Sequence, residues 1–235
     1  REMPHRRHRL TAHLLPRHKK QALLLALIAT GGAIAAVVPL TLQDFHIPGT
    51  QIGMVTFNEI YTSDGCFGCH SHFDPVTEPY DSWSGSLMGQ AGRDPLFWAQ
   101  MATANQDAAN AGYYCMRCHV PMTWTTGSAY DPSGASVNAI DMDGVSCHFC
   151  HAMVDPIYKP GISPAEDHAI LAALGKDKPN FYGNAMFVLD PEGRRRGPRT
   201  DHVAPHEMIT SPFHRTGDFC GTCHDVGNLA VSLQP

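Results

Sequence analysis

The chain has 235 residues, 17% of them charged, and a net charge of −5 that hides a division. Arg1, Arg6, Arg7, Arg9, Arg17, Lys19 and Lys20 against Glu2 give residues 1–20 a charge of +6, leaving −11 on the remainder. An acidic body argues against nucleic acid as its partner. The 39 glycines and prolines predict extensive loops and a small hydrophobic core.

In chain order, residues 1–20 read as a basic cytoplasmic tail. Residues 21–43, QALLLALIATGGAIAAVVPLTLQ, carry no ionisable side chain and read as a transmembrane anchor. The basic flank places the N-terminal side in the cytoplasm and everything after Asp44 outside it. A cleaved signal peptide, cut after Ala33-Ile34-Ala35, is the rival reading. Gly31, Gly32 and the adjacent alanines suit packing against another membrane helix, although small residues are also common in such segments.

Residues 44–235 form the body. Asp94 with Pro95 predicts a helix running to about Ala111. Residues 131–144 and 176–205 read as loops, with a weak strand signal at 181–190. SPAEDHAILAALGKD predicts a helix capped by Ser163, with Pro164 first, Glu166 closing a capping box and Gly175 as the stop; its apolar stripe is Ile170, Leu171 and Leu174.

All eight cysteines fall in four copies of one pattern: Cys66-Phe-Gly-Cys69-His70, Cys115-Met-Arg-Cys118-His119, Cys147-His-Phe-Cys150-His151 and Cys220-Gly-Thr-Cys223-His224. A histidine directly after the second cysteine is the signature of covalent c-type haem attachment. The two thiols add to the vinyl groups on one edge of the porphyrin, and the next residue brings its imidazole under the iron. Zinc held by four cysteines is the alternative, but it leaves the four histidines unexplained. The expectation is four covalently bound c-type haems, with proximal iron ligands His70, His119, His151 and His224. Four porphyrins would also supply apolar surface that the chain lacks. In CHFCH the position after the second cysteine selects His151; His148 is left to water, a haem propionate or a neighbouring iron.

A sixth ligand makes a haem an electron carrier, and an open position makes it a possible catalyst. His46, His72, His148, His168, His202, His206 and His214 are available for that position. Trp83-Ser-Gly-Ser-Leu-Met88 and Ile209-Thr-Ser-Pro-Phe-His214 share a pattern ending in a ligand residue. His206 and His72 are further distal candidates, ahead of His168, His46 and His202. Arg194, Arg195, Arg196 and Arg199 suit haem propionates or a solvated loop.

The blocks WSGSLMGQAGRDPLFWAQ, YCMRCHVPMTWTTG, DMDGVSCHFCHAMVDP and HEMITSPFHRTGDFCGTCHDVGN resemble multihaem cytochromes c related to the tetrahaem cytochrome of nitrifying bacteria. The likeness spans most of residues 61–228. It implies a mainly α fold with extensive loops, built around four haems. It also implies a distal role for His214, with Met88 standing where the nitrification protein has histidine. Met/His ligation would raise the potential of that haem.

The expected function is electron transfer along a haem row, outside the cytoplasmic membrane of a bacterium, without a catalytic residue. Expected partners are a redox donor and acceptor, one of them a basic soluble carrier. The membrane helix would pack in a larger respiratory or photosynthetic complex. Two alternatives are a NapC/NirT-type quinol dehydrogenase, which also joins one helix to four haems, and a reductase with a five-coordinate catalytic haem.

Overall fold

Short helices joined by long connections carry the chain, and four of them are built on the cysteine motifs. The computed structural model describes residues 37–227, together with Lys19 and Gln21. The expected basic tail (except Lys19) and residues 22–36 of the expected anchor therefore lie outside the described residues. Among the described residues no helix is long and apolar enough to cross a membrane. Residues 38–227 belong to one folded unit. The Val38 N–H donates to the Asp107 carbonyl at 2.8 Å, and its own carbonyl accepts from Ala109 at 2.9 Å. A capping box between Thr41 and Asp44 then opens a 3-10 turn at Leu42–Phe45.

The helices are α1 (Asp64–His70), α2 (Pro79–Ser84), α3 (Leu87–Gln90), α4 (Pro95–Asp107), α5 (Ala111–His119), α6 (Thr123–Thr126), α7 (Cys147–His151), α8 (Ala165–Ala173) and α9 (Gly217–His224). Helix α4 begins as its sequence predicts, with the Asp94 carboxylate accepting from the Leu96 N–H at 2.8 Å and Pro95 in the first position. It stops at Asp107, short of the expected Ala111. Ala108 leaves helical geometry to bridge Val38, and Asn110 takes a φ of +67° before α5 starts. The two helices meet at Gly112, whose N–H donates to the Asn105 side chain of α4 at 2.9 Å; a Cβ there would also collide with the Pro132 carbonyl.

Helix α8 departs from its expected cap. Pro164 occupies the N-cap position, and the Ser163 hydroxyl instead accepts the Lys159 N–H at 3.0 Å. The turn before the helix thus takes the oxygen that a capping box would use. Gly175 does end the element, with a φ of +56°. Its apolar stripe packs as predicted, with Leu171 buried against Val154 and Val188 and with Ile170 and Leu174 alongside.

Two small sheets pin the loops. Strand β1 (Met153–Val154) pairs antiparallel with β2 (Val188–Leu189), the part of the 181–190 signal that becomes strand. Strand β3 (Arg195–Gly197) pairs in parallel with β4 (Met208–Thr210), with Arg196 opposite Ile209. The core is larger than the composition implied. Met116, Met122, Trp124, Phe149, Phe187 and Phe213 form one buried cluster, with Cys115, Cys118 and Cys223 at its margin. Met116 and Phe149 lie between the cysteines of their motifs, so the motif helices themselves turn apolar side chains inward.

Candidate cofactor site

Each cysteine motif forms the last turn of a helix that ends on its histidine: α1 on His70, α5 on His119, α7 on His151 and α9 on His224. Cysteines three apart on a helix share one face, so both thiols of a motif can reach one edge of a bound group. All eight cysteines are free, and all four motif histidines are exposed. The thiols also meet between motifs. Cys147 hydrogen bonds Cys66, which lowers the Cys66 thiol to about 7 and raises Cys147. Cys118 and Cys223 form the same contact, which lowers Cys118 and raises Cys223. The Cys220 thiol acts electrostatically on Cys150. The motifs are therefore neighbours in the order first, third, fourth, second.

The third motif shows the most developed histidine geometry. The His151 Nδ1–H donates to the Arg196 carbonyl at 2.7 Å, which fixes the tautomer and leaves the Nε2 lone pair available. The His214 ring lies parallel to it, 9° between planes and 6.1 Å between centroids. Two imidazoles on opposite sides of one metal, each nitrogen about 2 Å away, place their centroids roughly 6 Å apart. His214 Nε2 faces the Cys150 carbonyl at 3.3 Å, while its Nδ1 is buried without a partner. A buried lone pair lacking a donor is the kind of group that a bound metal satisfies. Burial holds the His214 ring down to about 4, so it stays neutral and able to ligate.

The structure brings His206 near His70: burial first, then the charge of His206, holds His70 below the usual histidine range. His119 is stacked under Phe97 at 4.5 Å, and the charge of His224 acts on it. Met88 stands 48% exposed on α3, its carbonyl taking the Val145 N–H at 3.1 Å. His72 adopts a φ of +63° and meets Phe67 edge-on at 4.8 Å. His168 packs edge-on against Tyr158, and His46 bonds the Asp177 carboxylate at 2.9 Å.

His148 is buried, 1% exposed, with both nitrogens satisfied. Nδ1 accepts the Tyr61 N–H at 2.9 Å, and Nε2–H donates to the Gly193 carbonyl at 2.8 Å. Of the outcomes open from sequence, water, propionate or iron, the ring takes none; it bonds the backbone of two distant segments. The segment 194–199, expected to be loop, contains β3; of its arginines, Arg194 pairs with Asp190, and Arg199 with Asp201. Arg195 lies over the Tyr61 ring at 5.7 Å, close enough to act on Cys66 and His70.

Two cations are buried: Arg196, read from sequence as a propionate partner or part of a solvated loop and found to be neither, and Arg117, which the sequence reading did not single out. Arg196 is fully enclosed, bonding Asp167 at 2.8 Å and Asp190 at 2.6 Å. Burial raises the Asp167 carboxyl despite Arg196, and its Oδ2 has no partner. Arg117, inside the second motif, is also enclosed; burial lowers its guanidinium to about 10, which leaves it charged at neutral pH. For Arg117 the only sequence signal was a charged side chain between two cysteines.

These residues fit covalently attached haems: paired thiols at the ends of helices, a terminal histidine in each, and one pair of parallel imidazoles with centroids 6.1 Å apart. Among the described residues no group of three or more His, Cys, Asp or Glu converges on a bare ion. The thiol pairs between motifs thus fall short of a four-ligand zinc set. No protein-family model matches the chain, and no curated protein or solved structure is significantly similar to it.

Proposed function

We propose that the chain is a membrane-anchored tetrahaem c-type cytochrome that moves electrons along a haem row outside the cytoplasmic membrane, as a partner or subunit of a larger membrane complex. The observation that carries this reading is the placement of every cysteine in a motif that closes a helix on its histidine. When bound, each haem supplies an iron that cycles between ferric and ferrous states and so passes one electron at a time.

The residues divide the work. Cys66 and Cys69, Cys115 and Cys118, Cys147 and Cys150, and Cys220 and Cys223 hold the four groups. His70, His119, His151 and His224 are the proximal ligands. His214 serves as distal ligand opposite His151, and His206 opposite His70; Met88 and His72 are the remaining distal ligands of the proposal. The Arg196 carbonyl orients His151. Contacts between the thiols support a row running first, third, fourth, second, with the first and second motifs at its ends.

Haem stoichiometry is the direct test. The intact chain, matured in a host that attaches c-type haem, should give four haems per chain by pyridine haemochrome assay and by mass. Replacing Cys147 and Cys150 together by Ala should leave three. Absence of covalent haem from the wild-type chain would overturn the reading.

A further inference from the structure

We propose that Arg117 raises the reduction potential of the centre at Cys115, Cys118 and His119, and so makes the second motif the electron-collecting end of the row. The proposal rests on the haem reading above. The Arg117 Nε–H donates to the Ala185 carbonyl at 2.8 Å, and its terminal amino group to the carbonyls of Pro48 at 3.0 Å and Thr50 at 3.2 Å. Trp124 and Phe187 lie on the guanidinium at 5.0 Å and 4.6 Å from their ring centroids. These partners are dipoles and aromatic faces; they stabilise the cation without cancelling its charge.

The third motif offers the contrast. There Arg196 is held by two carboxylates, Asp167 and Asp190, in the same buried space. The carboxylate whose charge reaches Arg117 is Asp177, which is itself bonded to His46. A cation whose direct contacts are carbonyls and ring faces, with the Asp177 carboxylate acting only from a distance, extends its field through a weakly polarisable interior. Reduction adds an electron, so a fixed neighbouring cation favours the reduced form and lifts the potential. Arg117 stands between the two attachment cysteines and two residues before the histidine, and its charge also reaches Cys223 of the fourth motif. The lift is greatest at the second centre, where the row ends.

The residue also ties three segments together, so the test separates charge from architecture. Haem content is read first on each variant, followed by a spectroelectrochemical titration. In Arg117→Gln one wave should move down until the oxidised-to-reduced ratio at a fixed potential has risen at least tenfold, about 59 mV for a one-electron couple. The other waves should move less, and Arg117→Lys should retain most of the wild-type potential. A Gln variant with four haems and unchanged potentials overturns the proposal, as does a Lys variant that falls as far as Gln. Where the Gln variant loses haem, the Lys variant decides alone: a retained potential supports the role of charge, and a lost one overturns it. A wild-type chain without covalent haem is a different result and removes the haem reading itself.

Discussion

His148 follows Cys147 in the sequence, yet its ring works for the backbone. Its two hydrogen bonds reach Tyr61 and Gly193, 87 and 45 residues away in sequence. Burial keeps the ring neutral, with its pKa lowered to about 4, whereas an unfolded histidine titrates near 6.5. The unfolded chain therefore binds the extra proton first as pH falls. The stability contributed by the neutral ring is complete above about pH 6.5 and is lost progressively towards pH 4. By linkage this amounts to about 2 kcal/mol between pH 8 and pH 5. Chemical denaturation at the two pH values should show that loss, and His148→Gln should flatten it. Such residues explain what the sequence could and could not disclose. On the proposed reading, haem attachment would confine the cysteines and motif histidines to a five-residue pattern, which makes them legible locally. The partners of His148, Arg117 and His214 depend on contacts between distant segments, which no local spacing encodes.

At the scale of elements, local signals hold where no other group competes for the atoms they use. Asp94 and Pro95 begin α4 as expected because the cap is made within the segment. Its end is set by Val38, which draws Ala108 into a bridge. The Ser163 cap failed for a related reason, since Lys159 competes for the same oxygen. Replacing Asp94 by Ala should cost about 1 kcal/mol, the usual worth of an N-cap, measured as a lower denaturant midpoint. Because α4 packs on α5, whose end carries His119, a midpoint unchanged by this substitution would show that the cap does not hold the element.

Over the whole molecule, charge and order act together. The acidic body, with haem propionates adding to it on the proposed reading, suits a basic redox partner. Electron exchange with such a partner, followed by stopped flow, should slow roughly tenfold or more as ionic strength rises from about 0.01 M to 0.15 M. A rate indifferent to salt would point to apolar docking. The core illustrates a further limit of composition: motif residues Met116 and Phe149 build part of it, and percentages cannot say that residues inside a cofactor motif face inward. The parallel pairing of β3 and β4 carries a consequence for speed. One strand bears the carbonyl that holds His151, and the other leads within four residues of its end to His214. Both proposed axial ligands thus hang from one short ladder, and neither ring can retreat without disturbing the strand that positions the other. On the proposed reading, an iron held by both rings would be constrained alike in either oxidation state, so little reorganisation would accompany each electron's arrival or departure.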